Sequence, residues 1–167
     1  MKKYILYLFC LVFPIIGNSQ IEDPVSWSFN VEDLGEGNYN LLIDAEIDEG
    51  WIVYSQYKDP ESFIISTSFY FKNIDGLRFI DSEVEKVDYP MDGYKVFFSE
   101  TQPIEKYVPI VEETAKYFEG KASFFQKIEV EEGIDQIHGM YEFMVCDDEQ
   151  CLPPEIVDVV FYLKKKN

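Results

Sequence analysis

Along much of this chain, apolar and polar residues alternate in steps of two. In YNLLIDAEI, Tyr39, Leu41, Ile43, Ala45 and Ile47 fall on one side and Asn40, Asp44 and Glu46 on the other, with Leu42 the one exception. That is the period of a strand with one buried face. Further strands are predicted at SWSFNV (26–31), WIVYS (51–55), TSFYF (67–71), LRFI (77–80), YKVFF (94–98), ASFFQKIEV (122–130), MYEFMV (140–145) and EIVDVVFYL (155–163). Turn signals separate them: Gly35-Glu36-Gly37-Asn38, Asp48-Glu49-Gly50, Asp75-Gly76, Asp92-Gly93 and Glu132-Gly133. Short strands at this spacing, rich in Phe, Tyr, Val and Ile, predict an all-β antiparallel sandwich. The stretch VEETAKYF (111–118) is expected to wind into a helical turn or two before Gly120 stops it.

The N-terminus breaks this pattern. Lys2 and Lys3 precede the apolar run YILYLFCLVFPII, which is shorter than the roughly 20 residues a membrane span needs. Small residues in Gly17-Asn18-Ser19 suit cleavage before Gln20, so residues 1–19 read as a secretory signal peptide. Tyr7 and Phe9 are poor lipobox neighbours for Cys10, which is expected to leave with the signal. The expected product is an exported domain over 20–167, long enough to bury a core of its own and without stable membrane insertion.

Charge narrows the partners. The chain carries 14 Lys and Arg against 32 Asp and Glu, a formal net charge of −18. Removing Lys2 and Lys3 with the signal leaves 12 against 32, or −20. Such a surface disfavours nucleic acid and anionic lipid.

Candidate chemistry sits in FMVCDDEQCLPP (143–154). Cys146 and Cys151 are the two cysteines left after signal removal, and an even count in an exported chain favours a disulfide. The segment from Cys146 to Pro154 joins two predicted strands, at one end of a sheet, where functional groups concentrate. Pro153 and Pro154 lack backbone donors and stiffen the exit from the loop. A zinc site is the weakest reading, because His138 is the one histidine and no further thiol remains; no metal and no cofactor are expected. His138, beside Gly139, reads as a surface residue in a turn-like stretch.

Two readings of the pair stay open. As a staple, a loop of about six residues gains roughly 2 kcal/mol by chain entropy, against roughly 4 for a loop of about sixty. As a redox pair, its thiols would lie among Asp147, Asp148 and Glu149, each disfavouring a thiolate by roughly 0.7–3 kcal/mol at about 6 Å. Those acids are expected to raise the cysteine pKa and slow unassisted exchange.

Three segments resemble one family, the N-terminal periplasmic domain of the thiol:disulfide interchange protein DsbD, and the expectation is a stand-alone copy of it. PVSWSF (24–29) with EIDEGWIVYSQ (46–56) is similar to its opening strands and Gly-Trp-x-x-Tyr-Ser segment. YFEGKASFFQKIEV (117–130) resembles its Phe-x-Gly-Lys…Gln-Lys strand, and GMYEFMVCDDEQCLPPEIVDVVF (139–161) its cysteine loop with the double proline. The resemblance implies an immunoglobulin-like sandwich. It also implies a reversible Cys146–Cys151 disulfide that carries electrons from a membrane-embedded thiol reductase to periplasmic thioredoxin-like proteins. Cys151 would form the mixed disulfide and Cys146 would resolve it, with Asp147, Asp148, Glu149, Pro153 and Pro154 supporting the loop. The family shields its disulfide with an aromatic cap loop. Here the cap is expected near KYVPIVEE (106–113), from Tyr107, Ile110 or Val111, with DYPMDGY (88–94) as the alternative. Ile52 stands where relatives often place histidine, and Trp51 and Tyr54 read as core. A second class of function is a non-catalytic binding module whose disulfide only pins the loop.

Overall fold

A computed structural model describes residues 23–163. The expected signal peptide and Cys10 lie outside the described residues. The architecture is an all-β antiparallel sandwich, as the alternation predicted, and of the immunoglobulin-like class that the resemblance implied. Among the described residues no helix is long and apolar enough to cross a membrane.

The first sheet contains β1 (Val25–Gly35), β2 (Asn38–Ile47), β5 (Leu77–Ile80), β8 (Ser99–Glu100) and β11 (Lys121–Val130). Its order is β1-β2-β11-β5, with β8 also on β11. A second sheet runs β14 (Glu155–Tyr162), β12 (Gln136–Phe143), β4 (Ser68–Lys72), β7 (Gly93–Val96), β6 (Val84–Val87). A short third sheet has the order β13 (Val145–Cys146), β3 (Ile52–Tyr54), β10 (Glu113–Phe118), β9 (Ile104–Val108).

The first two sheets face each other through aromatic rings. Trp27 meets Tyr141 at 5.1 Å, Phe29 meets Phe161 at 5.9 Å, and Phe69 meets Phe124 at 5.1 Å between centroids. Leu41, Ile43, Ala45, Phe71 and Ile137 complete this core. A fully buried residue of this kind contributes about 1.5–3 kcal/mol over leaving it exposed, so the alternating strands account for the collapse. Leu42, out of phase with its strand, is only half-buried and pairs with the exposed Phe125.

Two local expectations are corrected. Residues 111–118 do not wind into a helix: a 3₁₀ turn spans Pro109–Val111, and Glu113–Phe118 is strand β10, paired with β9 and β3. Pairing on both sides outweighs the helix preference of Glu, Ala and Lys, which is a weak prior. His138 and Gly139 lie mid-strand in β12, not in a turn. A Cβ at position 139 would stand 2.7 Å from the Tyr70 carbonyl oxygen and 3.0 Å from the Phe71 ring, so close approach of β4 explains the glycine.

Candidate functional site: a disulfide hairpin over a second apolar cluster

The third sheet places the cysteines by simple alternation. Val53, Phe118 and Val145 point into the main core, whereas Tyr54, Tyr117 and Cys146, each one residue along, belong to a separate cluster with Ile64, Val108 and Ala115. Register agrees: Cys146 is opposite Ile52, Val145 opposite Val53, and Tyr117 opposite Tyr54. One buried face of this sheet therefore carries the sandwich core, and the other carries the disulfide.

Cys146 and Cys151 form a disulfide with Cα atoms 4.0 Å apart, bridged as an antiparallel pair. The loop between them is a hydrogen-bonded hairpin. Leu152 N–H donates to the Val145 carbonyl at 2.9 Å, and Asp147 N–H to the Gln150 carbonyl at 2.9 Å. Asp147 Oδ1 accepts from the N–H groups of Glu149 and Gln150, both at 2.7 Å. Asp147 thus closes the turn with its own side chain, as Asp commonly does. Asp148 and Glu149 project to solvent, and Pro153 and Pro154 are exposed at the exit.

The two sulfurs have different surroundings. Cys146 is fully buried, and Cys151 is only partly so. Tyr54 donates its hydroxyl to Cys146 Sγ at 3.3 Å inside the cluster. Burial, with a smaller push from the Glu113 charge, raises the Tyr54 pKa to about 12, so the phenol keeps its proton at neutral pH. A donor aimed at sulfur favours a thiolate there, opposite in sign to the three acids of the loop. Tyr117 is likewise raised, by burial first and then by Glu119 and Asp148, which sets it close to the loop acids.

Tyr54 is itself held from behind. Thr67 Oγ1 donates to the Tyr54 carbonyl, and Ser55 N–H donates to the Lys116 carbonyl at 2.9 Å. Glu100 accepts from Ser55 Oγ and from Gln56 N–H, while Gln56 pairs with both backbone groups of Phe98. These buried polar groups are satisfied, and they fix the position of β3 behind the tyrosine.

Of the residues named for a cap, Val111 packs against the disulfide cluster, whereas Tyr107 and Ile110 are exposed. Val108, not singled out in the sequence, is buried in the same cluster. The alternative segment 88–94 lies elsewhere. Lys72 is opposite Gly93 at one end of β4, and Ser68 is opposite Glu142, near the cysteines, at the other. Four residue steps along the strand separate these ends by about 13 Å. Trp51 packs against the main core and Ile52 against the disulfide cluster. Sequence reasoning treated Tyr54 as core and missed its hydroxyl contact; its place in the Gly-Trp-x-x-Tyr-Ser segment was the available signal. Ser55, Gln56 and Tyr117 stood within the segments that carry the resemblance without a role being read for them, and Ile64 and Glu100 carried no local signal.

No protein-family model matches this chain, and no curated protein matches it. Several solved structures are similar. The N-terminal periplasmic domain of ScsB from Proteus mirabilis has a TM-score of 0.48 and 11% identity, over 85% of this chain and 47% of that one. The DsbD N-terminal domain of Neisseria meningitidis, in the reduced form, has a TM-score of 0.34 and 9% identity, over 80% of this chain and 83% of that one. ACE19, the collagen-binding subdomain of the Enterococcus faecalis surface protein ACE, has a TM-score of 0.35 and 6% identity, over 85% and 97%. The chain spans about half the length of the ScsB structure it matches. Its relation to the DsbD and ScsB N-terminal domains is distant and lies at the level of the fold.

Proposed function

We propose that this protein is an exported thiol–disulfide exchange module with Cys146 and Cys151 as its reacting pair. It would take two electrons from a membrane-embedded thiol reductase and pass them to periplasmic thioredoxin-like proteins. The observation that carries the proposal is the asymmetry of the disulfide: Cys146 is fully buried with its sulfur under a tyrosine hydroxyl, whereas Cys151 is only partly buried.

The chemistry follows from that asymmetry. A partner thiolate attacks Cys151 Sγ, the S–S bond breaks, and Cys146 leaves as a thiolate that accepts the Tyr54 O–H. The partner's second thiolate then attacks its own sulfur in the mixed disulfide and releases Cys151. The partner ends oxidised, and this pair ends as a dithiol after taking up two protons. Passing electrons onward reverses the sequence with a second partner. A stabilised leaving group accelerates the first step.

The staple alternative is weaker, for a physical reason. The hairpin already has two backbone hydrogen bonds and two bonds to Asp147, each worth about 1 kcal/mol net. The six-residue loop adds only about 2 kcal/mol of chain entropy. A loop held without its disulfide can keep one geometry in both redox states, which suits exchange.

The deciding measurement is the reduction potential of the pair, read by alkylation mass shift in graded thiol–disulfide buffers. A value more oxidising than about −260 mV supports exchange with thioredoxin-like carriers. A value below about −300 mV, the range of structural disulfides, would leave a binding module with a pinned loop.

A further inference from the structure

Resting on the exchange function just proposed, we infer that the cleft beside the disulfide loop is a docking surface for a partner segment bearing lysine or arginine. The cleft has a volume of about 780 Å³ and lies between the turn after β2, the end of β9 with its 3₁₀ turn, and the disulfide hairpin. Its lining contains five carboxylates, Asp48, Glu49, Glu119, Asp147 and Asp148, against one cation, Lys106. The two ion pairs seen among the described residues, Arg78–Glu129 and Lys121–Asp44, use none of these acids. The cleft is therefore a concentration of negative potential beyond the general acidity of the surface, and clefts focus such fields.

An apolar rim accompanies the charge. Tyr107 is 57% exposed and Ile110 is 37% exposed, both on the wall formed by β9 and the 3₁₀ turn. That turn is pinned: Glu112 takes a left-handed φ of 56° and donates its N–H to the Pro109 carbonyl at 3.2 Å. Apolar side chains beside acids suit the stem and head of a long cationic residue, the stem lying on the ring and the head among carboxylates. The cleft borders the disulfide hairpin, with neither cysteine in its lining. Ile52 lines it and is the register partner of Cys146, while Asp147 and Asp148 belong to the hairpin itself. A basic segment seated here lies beside the disulfide hairpin, and an acidic one is repelled.

The test compares two thiol peptides of equal length, one with lysines flanking its cysteine and one with glutamates. Rates of Cys146–Cys151 reduction are expressed per thiolate, from each peptide's measured thiol pKa. The expected result is at least a roughly tenfold advantage for the basic peptide at low salt, fading at about 0.5 M salt. Asp48→Lys with Glu49→Lys should erase most of that advantage, read as the ratio of the two peptide rates so that any change common to every attacking thiolate, including that of dithiothreitol, cancels. Asp75→Lys with Glu132→Lys, an equal change of net charge at the other end of β11, should leave most of it intact. Equal peptide rates, or the same loss from both double variants, would overturn the docking site while leaving exchange standing. If the disulfide resists every thiol, exchange itself falls. Binding of the serine counterparts of the peptides then decides: a basic preference removed by the Asp48/Glu49 change supports the site, and its absence overturns it.

Discussion

The Tyr54 hydroxyl donates to Cys146 Sγ at 3.3 Å across 92 positions of sequence, and both groups are buried. The phenol stays protonated at neutral pH, so the same hydrogen bond is available to a disulfide sulfur and to a thiolate. It strengthens when the sulfur becomes charged, because bonds to charged acceptors are roughly twice as strong as neutral ones.

Tyr54→Phe therefore should slow reduction more than it destabilises the fold. Loss of one bond to a charged sulfur, about 1.5–3 kcal/mol, predicts a roughly tenfold or greater fall in the rate with dithiothreitol. Quenched-flow alkylation measures this, and thermal unfolding of the oxidised protein should move little. An unchanged rate would remove Tyr54 from the exchange chemistry.

In the reduced protein, Cys151 should react with iodoacetamide at least about tenfold faster than Cys146, since exposure governs access to the thiolate. Peptide mapping after brief labelling distinguishes the two. Preferential labelling of Cys146 would reverse the assigned roles.

Asp147→Ala should loosen the hairpin by about 1–2 kcal/mol, because the Glu149 and Gln150 N–H groups lose a shared acceptor. Faster amide exchange at those two positions is the readout. Asp147→Asn keeps a carbonyl oxygen in place and should restore most of the protection.

Stability should decline between about pH 10 and pH 12. Burial raises Tyr54 and Tyr141 to about 12 each, above the ordinary value of 10. Above pH 10 the unfolded chain releases these protons and the folded chain retains them, so the unfolded state binds fewer and stability falls as pH rises. Below pH 10 both states are protonated and the contribution is fully present. Denaturant unfolding at pH 9, 10 and 11 checks the slope, and Tyr141→Phe should flatten it.

Gly139→Ala should cost about 1–3 kcal/mol, as overpacking does, since its Cβ would meet the Tyr70 carbonyl at 2.7 Å. Urea midpoints compare the two proteins. The sequence offered a turn there, and only the spacing of β12 from β4 reveals a close approach.

Much of the fold was legible because strand alternation is a local property. Each period-two run, such as Tyr39 to Ile47, marks its own buried face without knowing its partner. The exceptions are strands with weak alternation. β6 (VEKV) is mostly exposed, and β9 (IEKYV) is an edge strand with one buried residue, so neither leaves a strong pattern. The segment 111–118 misled because Glu, Ala and Lys favour helix, whereas strand pairing with β9 and β3 supplies the energy that decides.

The same division holds at the site. The short cysteine spacing, the acids between, the prolines after, and a place between two strands are all legible in the chain. Which cysteine is buried, that Tyr54 reaches it, and that Asp147 spends its carboxylate on the turn emerge only on folding. Folding also leaves Tyr107 and Ile110 exposed beside five acids rather than buried. The reason is physical: burial and hydrogen bonding at Cys146 come from Tyr54, Ile64, Val108 and Tyr117, which are distant in the chain. No local period encodes their meeting. It exists only once β13, β3, β10 and β9 have paired into one small sheet.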